Sequence, residues 1–265
     1  MNDLIVPRII WQLWLQGWDK APPVAKASQQ SWMRNNPNWK LCALDRAGLQ
    51  AALPPDVWAR INASTAPAEA FSDIVRLELL AHHGGVWADA TTLCARPLDD
   101  WIDRAATPGF FALASPGGGR PLASWFLAAK QNDYIIHKWR QAMEKYWQGR
   151  NTPDDYYWVH NLFGQLLKSN SKFSAHWNQA ERVSAQHIFH FGSEAQLLKN
   201  SAPDDLAWQL ANPPAPVLKL THKFQRPPKQ GSLFEALIEW GLTGEISQKP
   251  ASSHSWSLSR WFRKK

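Results

Sequence analysis

The first third of the chain switches between two hydrophobic periods. VPRIIWQLWLQG alternates and is rich in Ile, Leu and Trp, the pattern of a strand, closed by Gly17 and the DKAPP loop. VAKASQQSWMRNNP has helical spacing and ends at Asn35 and Asn36, before Pro37. NWKLCALD is a second short strand that turns at Asp45. RAGLQAAL gives a helical turn or two, stopped by Pro54 and Pro55, and PDVWARINAS gives another short helix. The order β-α-β-α-α is the beginning of an α/β domain.

APAEAFSDIVRLELLAHHGG then spaces Phe71, Ile74, Val75, Leu77, Leu79 and Leu80 over a broad helical face, with Gly84 placed to cap its end. Glu69, Asp73 and Arg76 form one polar stripe of that helix. VWADATTL follows as a strand. RPLDDWIDRA, FFALAS, the PGGG loop and ASWFLAAK read as strand and loop elements of the same sheet. DYIIHKWRQAMEKYWQGR and DDYYWVHNLFGQLLKSN are amphipathic helices, and FEALIEWGL is a short one; residues 170–215 show no clear period. The expectation is one catalytic-size domain over 1–245 and a Ser-, Trp- and Arg-rich tail over 246–265.

Composition changes this picture at four points. Cys42 and Cys94 are too few for a disulfide framework and sit in apolar contexts, which suggests buried thiols in a reducing compartment. No run approaches the roughly 18 apolar residues that span a bilayer, and the N-terminus begins with an acid rather than a basic run. A soluble, cytoplasmic protein of bacterial type is expected. The formal charge of +7 is concentrated: from Val217 to Lys265 there are nine Lys and Arg against three Glu. A nucleic-acid partner is therefore excluded, since its basic stripe belongs on the folded body. The basic, aromatic tail suits instead an anionic membrane surface, on the inner face of the cell membrane. Seventeen tryptophans suit both a large core and rings that stack on sugars.

Asp89 raises the chemical question. It ends an apolar strand and is followed by Ala90, Thr91 and Thr92. One reading is a cap for a turn starting at Thr91. The other is a carboxylate presented at the carboxyl end of a strand, where α/β sheets bind ligands. There it would serve a hard divalent ion, Mn²⁺ or Mg²⁺, bridging phosphate oxygens. Spacing leaves both open.

The segments VPRIIWQLW, FSDIVRLELLAHHGGVWADATTL and DYYWVHNLF together resemble the capsular polysaccharide synthesis proteins. These are DXD-type sugar transferases related to glycosyltransferase family 32 and to the large clostridial glucosylating toxins. The resemblance implies a GT-A-like α/β fold, a mixed central sheet flanked by helices. It also implies transfer of a hexosyl unit from a nucleotide-diphosphate donor, UDP in the nearest precedents, with retained configuration. The acceptor would be a surface glycan or lipid-linked saccharide. By the same resemblance Trp14, with Trp11 nearby, matches the aromatic that stacks on the donor's base. Asp73 matches the acid on ribose or sugar hydroxyls, Arg76 the base reaching the sugar or diphosphate, and Asp89 the first acid of the D-x-D. Thr91 stands where family 32 has the second acid, and Ala90 where only a small residue fits beside the donor.

Further candidates rest on less. His160 suits a metal ligand or diphosphate contact, or a half-buried helix histidine with one partner. Asp154 and Asp155 suit acceptor hydroxyls or helix capping. His222 and Lys223 lie in a stretch that in related folds closes over the diphosphate. The PGGG loop lacks the G-K-[ST] ending of a phosphate loop. A non-catalytic carbohydrate-binding protein with a decayed transferase site is the alternative function.

Overall fold

The computed structural model describes residues 6–185, 194–213, 215–224 and 226–246, so the membrane-attachment expectation for the tail, with Trp256, Trp261 and Arg263, lies outside the described residues. In chain order the elements begin β1 (Ile9–Leu13), α1 (Pro23–Asn35), β2 (Lys40–Leu44), α2 (Arg46–Ala52), α3 (Pro55–Asn62), α4 (Ala68–His83), β3 (Gly85–Ala88) and β4 (Thr92–Cys94). There follow α5 (Ile102–Ala105), β5 (Phe110–Ala114), β6 (Leu122–Ala129), α6 (Tyr134–Tyr146), α7 (Trp158–Ser169) and α8 (Ser171–Gln179). The last are α9 (Glu194–Lys199), α10 (Leu206–Ala211), β7 (Val217–Lys219) and α11 (Leu233–Thr243). The chain divides into two compact units. One comprises Met1–Gly17, Asn38–Asp89 and Asp99–Gln186; the other comprises Trp18–Pro37, Ala90–Leu98 and His187–Lys265.

The first unit is a mixed α/β layer structure around a five-stranded sheet of order β2-β1-β3-β6-β5. β1 runs parallel to both β2 and β3, while β6 runs antiparallel to β3 and β5. β3 and β5 are buried along their whole length, as expected for strands covered on both faces. Phe71, Val75 and Leu79 of α4, Trp139 of α6 and Phe163 of α7 belong to the core that covers the sheet. Trp87 and Trp139 are among the largest fully buried side chains, so much of the tryptophan surplus goes into packing.

The pairing places the candidate residues. Ile10 pairs with Val86 and Trp11 with Trp87. Because the strands are parallel, the segment after Leu13 and Asp89 emerge at the same edge of the sheet. Ala88 pairs antiparallel with Phe126, so Ser124 and the loop before β6 extend past the end of β3. Gly85 makes the close approach of β3 to β1 feasible: its φ is +92°, and an added Cβ would stand 2.6 Å from the Ile9 carbonyl oxygen. Gly85→Ala is expected to destabilise the protein by at least about 2 kcal/mol through left-handed strain and overpacking, measured by urea denaturation.

The second unit has a two-stranded antiparallel sheet, in which Thr92 pairs with Lys219 and Leu93 with Leu218. α1 and α11 pack closely there. A Cβ on Gly241 would stand 2.8 Å from the Ala27 Cβ, and Arg34 donates to the Gly241 and Trp240 carbonyls. Ser28 Oγ and Trp32 Nε1 both donate to the Thr92 carbonyl, tying α1 to β4.

Three local expectations change. VWADATTL is not one strand: Asp89 N–H donates to the Trp125 carbonyl as a last rung on β6, whereas Leu220 N–H donates to the Thr91 carbonyl beside β7. The chain exchanges hydrogen-bonding partners between residues 89 and 91. RPLDDWIDRA forms a 3₁₀ turn over Leu98–Asp100 and the short helix α5. Its acids serve as partners instead of strand positions, Asp99 accepting from Trp39 and Asp103 from Arg8. The 170–215 stretch holds helices α8, α9 and α10, the first capped by Asn170, which accepts from Phe173 N–H.

Candidate functional site

Asp89 lies one residue beyond β3, with its side chain 26% exposed. Alternation along the strand puts Trp87 on the same face, and Trp87 Nε1 donates to Asp89 Oδ1 at 2.9 Å. Arg76 Nη2 approaches the same oxygen at 3.3 Å, and its guanidinium lies 5.3 Å from the centre of the Trp87 ring. Asp73, one helical turn before Arg76 on α4, meets Arg76 Nη1 at 2.8 Å. Nη1 also donates to the Ser124 carbonyl at 2.9 Å, and Nη2 reaches Ser72 Oγ at 3.4 Å. Arg76 is therefore a buried strut from α4 to the ends of β3 and β6, and it carries two carboxylates. It is 4% exposed and Asp73 is 9% exposed.

This burial sets the charges. Desolvation pushes the Asp73 carboxyl up to about 6; Arg76 opposes the rise and Asp89 adds to it. The cluster sets the two carboxyl groups of Asp73 and Asp89 against the one guanidinium of Arg76. A site of that kind attracts a cation.

α7 contributes the other wall. His160 is buried, and its Nδ1 has no hydrogen-bond partner among the described residues. Burial, followed by the charges of Arg76 and Arg120, pushes its pKa down to about 3, while Asp155 and Asp89 act the other way. Its imidazole is neutral at pH 7, and one ring nitrogen is then an acceptor. Because the folded pKa lies below the unfolded value near 6.5, the stability this group contributes is full above pH 6.5. That stability is lost as pH falls towards 3. His160→Asn is expected to reduce the stability lost between pH 7 and pH 4 by about 2–3 kcal/mol, read from urea midpoints at the two pH values.

The other sequence candidates divide. Trp14 is half-buried just past β1, its N–H donating to the Leu44 carbonyl. Trp11 is a core residue, 5% exposed, with its indole N–H donated to the Gly84 carbonyl. That position makes Trp11, the neighbour of the expected base-stacking Trp14, a packing residue of the sheet. Asp154 is paired with Arg150, and Asp155 accepts from Tyr157 N–H and Asn161 Nδ2, while the N-cap of α7, Tyr157, makes no side-chain capping bond. Both acids line a cleft of about 260 Å³ with Tyr146, Trp158 and Leu162. Ala90, Thr91, His222 and Lys223 belong to the second unit. Ala90 and Thr91 are buried, and the Thr91 hydroxyl accepts from Lys219 Nζ at 2.8 Å. His222 and Lys223 are exposed just after β7.

The donor set bears on the metal. Among the described residues no group of three or more His, Cys, Asp or Glu is placed to hold an ion. One carboxylate at an open strand end still fits a Mg²⁺ or Mn²⁺ ion that keeps waters and takes its remaining ligands from substrate phosphates. It does not fit a cage that holds the ion by itself.

Sequence reasoning passed over Arg120 and Trp87. Nothing in local spacing brings Arg120 towards the start of α7, where its guanidinium lies 4.4 Å from the centre of the Tyr157 ring. Trp87 showed only as one aromatic among many.

Residues 2–237 match the model of a family described as capsular polysaccharide synthesis protein. The chain is 29% identical over 163 residues to the O-glycosyltransferase braB of Annulohypoxylon truncatum, covering 53% of this chain and 38% of that protein. It is 25% identical over 180 residues to the O-glycosyltransferase PaGT of Phomopsis amygdali, covering 61% and 44%. The chain thus spans about two fifths of the length of these relatives, which are fungal where a bacterial type was expected. A solved structure, PaToxG Glycosyltransferase, aligns over 79% of this chain and 84% of its own at a TM-score of 0.44 and 13% identity. No helix among the described residues is long and apolar enough to cross a membrane.

Proposed function

The chain belongs to the capsular polysaccharide synthesis protein family, and from its site we propose that it is a glycosyltransferase. It moves a hexosyl unit from a nucleotide-diphosphate donor, with UDP as the first candidate, to a hydroxyl of a glycan or lipid-linked acceptor. One observation carries the reading. The Asp89 carboxylate stands partly exposed at the carboxyl end of β3, at the same sheet edge as the end of β1, braced by Arg76, which also holds Asp73. Ligands of α/β sheets bind at such an edge.

In this reading the bond from the anomeric carbon to the diphosphate oxygen breaks, and its electron pair stays on the leaving diphosphate. The acceptor oxygen bonds to that carbon with retained configuration, and its proton passes to an oxygen of the departing diphosphate. A divalent cation, held on the protein side by Asp89, would supply charge stabilisation to the diphosphate. The Thr91 hydroxyl is engaged by Lys219, so the metal is assigned to Asp89 alone. Asp73 orients donor hydroxyls, and its own carboxyl is positioned by Arg76. Trp14, half-buried beyond β1, offers its ring to the donor's base, which helps fix a reactive geometry. Asp154 and Asp155 face the acceptor across their cleft, which is small beside ordinary ligand sites of roughly 300–1,000 Å³ and suits one saccharide unit.

A screen of nucleotide sugars tests the reading. At least one donor is expected to be hydrolysed slowly in Mn²⁺ or Mg²⁺ and not in EDTA. No hydrolysis and no transfer with any donor would remove the proposal. Binding of glycans indifferent to both metal and nucleotide would favour the carbohydrate-binding alternative. For the tail, the full chain is expected to pellet with anionic vesicles and a truncation after Pro250 to stay in solution; equal pelleting would refute membrane attachment.

A further inference from the structure

The diphosphate needs positive charge, and Arg76 is poorly placed to supply it. Its Nη1 faces Asp73 and the Ser124 carbonyl and its Nη2 faces Ser72 and Asp89; both ion-pair partners are acids. Arg76 works as a brace whose charge is more than matched by its neighbours. Arg120 is different. It sits at the end of the loop joining β5 to β6, which the antiparallel pairing of Ala88 with Phe126 carries past the end of β3. Its guanidinium lies 4.4 Å from the centre of the Tyr157 ring, and that ring meets His160 edge-on at 5.7 Å. Its contacts are with the loop's own carbonyls, Nε to Gly117 at 2.9 Å and Nη2 to Pro116 at 3.4 Å. No described carboxylate forms an ion pair with it. Gly117, Gly118 and Gly119 before it have φ of +101°, +61° and +71°, and a Cβ on Gly117 or Gly119 would meet nothing within 4 Å.

Resting on the transferase reading, we propose that Arg120 is the protein cation that contacts the donor's diphosphate, with the unpartnered Nδ1 face of His160 beside it, and that Arg76 is a positioning residue. A guanidinium already held 4.4 Å from an aromatic ring centre, whose Nη1 has no acceptor among the described residues, presents N–H groups to phosphate oxygens at little ordering cost. The glycine loop is then the carrier of this cation and not a phosphate cradle in its own right.

The test compares Arg120→Gln with the unaltered chain, using UDP and GDP with Mg²⁺ in calorimetry and uridine and guanosine in ligand-observed NMR. Arg120→Gln is expected to weaken the bound nucleoside diphosphate about tenfold and leave its nucleoside unchanged, with Arg120→Lys recovering part of the loss. The same substitution is expected to flatten the salt dependence of diphosphate binding. Diphosphate affinity within twofold of the unaltered chain, or an equal fall for diphosphate and nucleoside, overturns the assignment of Arg120 while the transferase reading stands. If the unaltered chain binds neither diphosphate, that reading fails and this assignment fails with it.

Discussion

Asp89→Asn is expected to lower donor turnover by about two to three orders of magnitude without unfolding the protein. Asn has the size of Asp and keeps an oxygen that accepts from Trp87 Nε1 and Arg76 Nη2. What disappears is the negative charge at the open end of β3, and with it the protein's hold on a cation shared with the leaving diphosphate. Loss of one preorganised electrostatic contact to a developing charge costs about 10²–10³ in rate in well-measured enzymes. The side chain is partly solvated, so the folding cost of the exchange is small. Steady-state rates with the donor found by screening, together with circular dichroism of the variant, decide it. A rate within tenfold of the unaltered enzyme would show that Asp89 does not serve the reaction.

The largest effect on stability is expected from Arg76→Met. The side chain of Arg76 is almost wholly buried and bridges α4, β3 and β6. Its removal leaves the buried Asp73 carboxylate uncompensated, a change that costs about 3–5 kcal/mol where one partner of a buried pair is deleted. The loss depends on pH in a defined direction. The carboxyl of Asp73 already has its folded pKa raised to about 6, and Arg76 is what holds it from rising further. An acid whose folded pKa exceeds its unfolded value is stabilising at low pH, and that contribution fades as pH rises through the folded value. The variant is therefore expected to lose less stability at pH 5, where Asp73 is protonated, than at pH 8. Urea denaturation at the two pH values reads this directly. Equal losses, or a loss under about 1 kcal/mol at pH 8, would contradict the strut.

How much of this was legible in the sequence follows from the range of the interactions. α1, α4, α6, α7 and α11 were visible because each has a continuous apolar face and a local stop, such as Gly84 with its φ of +65° at the end of α4. β1, β2, β5 and β6 were visible as short apolar runs between turn signals. The break at Asp89–Thr91 was not, because it depends on a change of partner from β6 to β7, and nothing in VWADATTL marks it. The same limit applied to the site. Asp73 and Arg76 lie one turn apart on one helix, so their pairing follows from helical spacing. Their meeting with Asp89 followed only from the resemblance to a family. Trp11 was drawn towards the donor by its neighbour Trp14, yet its burial is set by Gly84 and His83, far along the chain. Arg120 was missed because its loop reaches the end of β3 only through strand pairing.

The most direct test of the central claim is calorimetry of nucleoside diphosphate binding with Mn²⁺ and with EDTA, for the unaltered chain and for Asp89→Asn. The account predicts binding of one nucleoside diphosphate that needs the metal and is lost, or weakened by at least about tenfold, in Asp89→Asn. Equal binding in EDTA, or undiminished metal-dependent binding by the variant, would contradict it.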